Sequence, residues 1–180
     1  RYRDGPRFPS DYRPVTTAVI ARAPTQFEQQ ITVAAGSNQG IRLHAPVVVS
    51  GKLVGRVTKV TPSVAQVTLL TDESSFVPAV DLETGADGIV QHGEGTTSLI
   101  LDRVSKEQVV QPGDVVVTAG WKSDRFSSIY PRGIPIGRVT YASQVDTESY
   151  KQVQIEPFVN LGSLDTVVVL VSLKREPVVP

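Results

Sequence analysis

The chain has 180 residues, 18 Lys+Arg against 18 Asp+Glu, and neither Cys nor Met. That length suits one domain or two small ones with a real hydrophobic core. Zero net charge argues against a nucleic-acid binder, and the absence of Cys excludes a disulfide scaffold, a zinc–thiolate centre and a cysteine nucleophile. Residues 1–16 read as an extended linker, because Pro6, Pro9 and Pro14 each fix φ and lack an amide donor. Twelve short strands follow. The first six are predicted at 17–22, 28–34, 47–50, 54–60, 65–71 and 76–81, and the second six at 88–91, 98–103, 114–118, 136–141, 152–157 and 166–171. The chain holds 30 Val, whose branched side chain suits a pleated surface better than a helix. No long window keeps the i, i+3, i+4, i+7 apolar spacing of a helix, and only 105–109 could make a single helical turn. Residues 174–180 read as a fraying C-terminal tail.

An internal repeat organises these strands. Residues 47–50 (VVVS) recur as 115–118 (VVVT), and 51–58 (GKLVGRVT) recur as 133–140 (GIPIGRVT). The two offsets, 68 and 82, leave the second copy with 14 extra residues at 119–132 (AGWKSDRFSSIYPR). A glycine inside a strand marks a bulge, a barrel corner or a close backbone approach. Gly55 and Gly137 therefore read as the points where a strand coils around a small barrel. The predicted fold is all-β: two tandem six-stranded β-barrels, the first over 17–84 and the second over 85–173. Closure removes the sheet edges that so Val-rich a chain would otherwise expose. Exchange of strands between the barrels stays open.

Catalytic and metal-binding patterns are weak. His44 and His92 lie in turn-like contexts at non-equivalent repeat positions, and two His without Cys make a poor metal set. Double six-stranded barrels also build chymotrypsin-like hydrolases, yet the chain has neither a Gly-Asp-Ser-Gly string nor a Gly-x-Ser-x-Gly elbow. No phosphate cradle is present either, and no cofactor is expected. What remains is surface for partners. The 119–132 insertion brings Trp121, Arg125, Phe126 and Tyr130 together, residue types that anchor interfaces. The same rings could instead fold back over a barrel end, or serve as the platform of a glycan-binding wall module.

Several strings resemble one family when taken in order: 36–40 (GSNQG), 54–57 (VGRV), 70–72 (LTD), 113–118 (GDVVVT), 130–139 (YPRGIPIGRV), 153–157 (VQIEP) and 164–165 (LD). From about 17 to 171 the chain is similar to the extracytoplasmic β-rich part of the bacterial rod-shape-determining protein MreC family. The resemblance implies a non-enzymatic scaffold of the cell-elongation machinery that makes peptidoglycan. It implies self-association into homo-oligomers, and partnership with MreD, RodA and the elongation transpeptidase of the penicillin-binding class. It also implies a place on the outer face of the cytoplasmic membrane, anchored by an N-terminal helix and coiled coil that precede this segment. The start without Met and the lack of any apolar run near ~18 residues fit a piece excised from such a protein. The family pattern has a shorter loop before the Tyr-Pro step, and usually Phe in place of Tyr130.

Overall fold

The computed structural model describes residues 11–173, apart from 24, 26, 96, 121–129, 145, 146 and 148. All twelve predicted strands form. They are β1 (Tyr12–Arg22), β2 (Gln30–Val33), β3 (Pro46–Val49), β4 (Lys52–Val60), β5 (Ala65–Leu69), β6 (Val77–Asp81), β7 (Asp87–His92), β8 (Leu99–Asp102), β9 (Val115–Thr118), β10 (Pro135–Ser143), β11 (Gln152–Pro157) and β12 (Thr166–Ser172). Among the described residues the only helical segment is a 3-10 turn at Ser37–Gln39. The expected helical turn at 105–109 is a tight turn instead. There the Gln108 N–H donates to the Ser105 carbonyl at 3.1 Å, and Ser105 bridges to Tyr150.

The strands close into two six-stranded barrels, as expected, but the chain is shared between them differently. The first barrel runs β1-β12-β3-β4-β5-β2 and the second β10-β11-β8-β7-β6-β9. The division at 84/85 therefore fails at both ends. β6 lies before that boundary yet pairs with β7 and β9, whereas β12 at the far end of the chain inserts between β1 and β3. The physical reason is closure: β1 and β3 each need a second neighbour, and β12 supplies it through seven pairs with β1 and two with β3. The linker boundary at 16 moves as well. β1 begins at Tyr12, and Tyr12 to Thr16 pair with β12 from Ser172 back to Val168. Pro14 is tolerated because β2 joins β1 only from Val19 onward, so at Pro14 the strand has one neighbour and its other edge makes no ladder. The expected tail at 174–180 lies outside the described residues.

Register gives the duplication its structural form. Gly55, Arg56 and Val57 oppose Leu69, Thr68 and Val67, then a bulge intervenes before Lys59 meets Gln66. Gly137, Arg138 and Val139 oppose Pro157, Glu156 and Ile155, and the same bulge intervenes before Tyr141 meets Gln154. On the other side, Val47 opposes Gly55 and Val116 opposes Gly137. β3 and β9 therefore correspond at an offset of 69, against 82 for β4 and β10. The difference is 13, so the match by residue identity stood one position out of register. Followed round both barrels, the pairings match β12, β1, β2, β3, β4 and β5 to β6, β7, β8, β9, β10 and β11 in that order. The first barrel is thus a circular permutation of the second.

Inward positions alternate along each strand and bury Ile31, Val33, Val57 and Val67 in the first barrel and Leu99, Leu101, Ile136 and Val153 in the second. Each such side chain contributes ~1.5–3 kcal/mol relative to exposure. One inward position carries a charged residue type: on β6, Val77, Ala79 and Asp81 are all buried.

Candidate functional site

Three expected site features have definite places, and three fall where nothing is described. Trp121, Arg125 and Phe126 lie outside the described residues. The neck of their loop is well defined. The Thr118 hydroxyl donates to the Pro131 carbonyl and accepts the Ile134 N–H at 2.9 Å, while the Gly133 N–H reaches the Thr118 carbonyl at 2.9 Å. Gly120 takes φ +61°, and a Cβ there would stand 2.5 Å from that of Arg132, so the two arms of the neck touch. The loop thus leaves and re-enters the second barrel at a single point.

Tyr130 does not join the exposed loop surface expected of it. It is 4% exposed and belongs to the apolar core, because its place beside the neck turns the ring inward. Burial pushes its phenol up to about 12, opposed by the guanidinium of Arg56 on β4 of the other barrel. Arg56 Nη1 also lies 3.3 Å from His44 Nδ1, where the geometry makes Arg56 the donor. β4 and β10 meet at a seam between the barrels, and the charge of Arg56, held beside His44, is felt by Tyr130 across it. The sequence offered one hint of this seam: Arg56 and Arg138 occupy the same repeat position. Arg138 instead stacks on Phe158 and donates to the Gly113 carbonyl at 2.7 Å. Tyr130→Ala should cost about 3–5 kcal/mol in urea unfolding, whereas Tyr130→Phe should keep most of the stability. An alanine variant that unfolds at the parent midpoint would put the ring outside the core.

Gly55 and Gly137 each lie between two register shifts of their strand. A Cβ on Gly55 would lie 2.3 Å from the Thr68 carbonyl oxygen, and one on Gly137 2.3 Å from that of Glu156. A cleft of about 880 Å³ separates the β1–β2 turn from residues 154–162. Arg22 reaches across it to the Leu161 carbonyl. His92 hydrogen-bonds the Gly93 carbonyl at 3.2 Å and is not among the residues that line the cleft. Among the described residues no three His, Cys, Asp or Glu converge as a metal site, and no helix is long and apolar enough to cross a membrane.

The barrel core of the rod shape-determining protein MreC, as a family model, matches residues 19–171. The chain belongs to the MreC family. The cell shape-determining protein MreC of Cereibacter sphaeroides is 28% identical over 164 residues, covering 91% of this chain and 51% of that protein. The MreC of Listeria monocytogenes is 30% identical over 167 residues, covering 89% and 54%. The chain therefore spans about half the length of the curated relatives it matches. A solved MreC structure from Listeria monocytogenes superposes with a TM-score of 0.79 at 27% identity, covering 94% of this chain and 80% of that one. A complex between penicillin-binding protein PBP2 and MreC from Helicobacter pylori holds a chain that superposes at 0.69 and 14% identity, covering 91% and 99%, which shows the shared MreC fold. The double barrel and the family resemblance read from the sequence are both borne out.

Proposed function

We propose that this chain is a non-catalytic, extracytoplasmic scaffold of the bacterial cell-elongation machinery. In this reading it works by self-association and by binding a penicillin-binding transpeptidase, with MreD and RodA as further partners. The observation that carries the proposal is the match to the MreC barrel core over residues 19–171. The Helicobacter pylori MreC in complex with PBP2 supports the choice of transpeptidase. A hydrolase reading gains nothing from the placement of the two His.

The 119–132 loop is the proposed contact. Its neck is fixed to the second barrel, and its sequence carries the chain's only Trp together with Arg125 and Phe126. Loops on a rigid scaffold are common binding elements, and truncated aromatic anchors typically cost ~2 kcal/mol or more of binding energy. Trp121→Ala combined with Phe126→Ala should weaken association with the cognate transpeptidase, or with a second copy, by about tenfold or more, or ~1.4 kcal/mol. Surface interferometry would measure the affinity and a thermal melt the stability, which should barely change. Unchanged affinity at unchanged stability would move the contact elsewhere, and failure of the parent chain to bind any transpeptidase or itself would overturn the scaffold reading.

A further inference from the structure

The inward acidic position on β6 has a counterpart in the first barrel. Through the shared register, Asp81 on β6 corresponds to Val169 on β12, since Asp81 opposes Val116 where Val169 opposes Val47. Asp114, just ahead of β9, corresponds to Ala45, because the Val139 N–H donates to the Asp114 carbonyl at 2.8 Å where the Val57 N–H donates to that of Ala45 at 2.9 Å. One barrel thus closes its end with a buried Val and a buried Ala, and the other sets two carboxyl groups in the same places.

Asp81 is 1% exposed. Its Oδ1 accepts the N–H groups of Glu83 at 2.8 Å and Thr84 at 3.2 Å. Its Oδ2 is buried and, among the described residues, has no hydrogen-bond donor. Asp114 stands two residues ahead of Val116, the residue opposite Asp81, and so is its diagonal neighbour on the adjoining chain segment; its Oδ2 accepts the Gln111 N–H at 3.0 Å. Other charged residues on the surrounding elements are Glu83 in the turn, Asp87 on β7 and Arg138 on β10. Glu83 and Asp87 are themselves acidic, and Arg138 is engaged by Gly113 and Phe158, so none of them neutralises Asp81. An unpaired carboxylate at such a depth is costly, and a second carboxylate beside it raises the cost.

We propose that Asp81 and Asp114 share one proton, donated by Asp81 Oδ2 to the Asp114 carboxylate, and that this bond fastens the end of the second barrel in acid. On ionisation the proton passes to water and two like charges face each other. Burial, with Asp114 as the second cause, pushes Asp81 up from 3.8 to about 6. The folded state therefore keeps a proton that the unfolded chain releases between these values. The pair's stabilisation is complete below the lower value, is lost as pH rises towards the upper one, and is gone above it.

The test compares the parent chain, Asp81→Asn, and Asp81→Val combined with Asp114→Ala, which imports the residues of the first barrel. Urea unfolding would be followed from pH 4 to 7.5. Relative to either variant, the parent's unfolding constant should rise roughly hundredfold between pH 4 and 7, about tenfold per pH unit inside the window. Carbon-13 NMR of the Asp81 carboxyl in the parent should give a midpoint near 6, a readout that does not require any variant to fold. Identical pH slopes in parent and variants, or an Asp81 midpoint near 4, would overturn the proposal. So would stabilisation by millimolar calcium at pH 7.5 equal to that by acid, which would make the pair a cation site.

Discussion

A fragment of residues 1–84 is expected not to fold, although it holds five strands of the first barrel. It lacks β12, and so leaves the Val-rich edges of β1 and β3 open where seven and two residue pairs should form. Exposed apolar edges of this kind favour aggregation over a closed monomer. The complementary piece, residues 70–163, contains β6 to β11 without interruption and should fold alone. Permutation should rescue the first barrel. Tyr12 opposes Ser172, so a short turn joining the end of β12 to the start of β1 makes an ordinary hairpin. A chain reading 164–173, turn, 11–75 should then show dispersed amide NMR signals and cooperative urea unfolding. Cooperative unfolding of the plain 1–84 fragment would refute the strand exchange.

Gly55→Val and Gly137→Val should each cost about 3 kcal/mol or more. The cause is space and not the sign of φ. An added Cβ would stand 2.3 Å from a carbonyl oxygen of the next strand, Thr68 for Gly55 and Glu156 for Gly137, and backbone cannot swing away as a flexible side chain does. Gly133, by contrast, has open space around its missing Cβ and is held by φ +91°. Urea midpoints of the two variants would measure the effect, and parental midpoints would remove the coil-point reading. The bulges on both sides of Gly55 and Gly137 predict that even Ala at either position is poorly tolerated.

The strands were legible because Val alternation and Gly–Pro punctuation are local signals, and all twelve came from them. Strand partners were not, because pairing is set by closure over the whole chain. The Val runs of β3, β9 and β12 are nearly interchangeable as text, so nothing in 166–171 says that it returns to the first barrel. Pro14 misled for a related reason: a proline is read as a ladder breaker until the one-sided pairing of β1 is known. Tyr130 belongs by sequence with the loop it follows, but its burial follows the neck that Thr118 ties. Asp81 was visible in principle, since Val77, Ala79 and Asp81 keep a period of two through β6. The significance of that position needed the equivalent Val169 in the sister barrel.

Because β12 goes back, the second barrel is connected to the first by two peptide segments, 70–76 and 158–165. A body held by one linker can swivel about every axis, while one held at two separate points turns chiefly about the line joining them. The Arg22 bond to Leu161 ties the second of these segments to β1. Residues 11 and 173 meet at the start of β1 and the end of β12, where the Leu173 N–H donates to the Asp11 carbonyl at 2.7 Å. A force applied through residue 11 therefore enters the first barrel only and reaches the second through both tethers at once, so the pair would respond to load as a hinged plate and not as beads on a string.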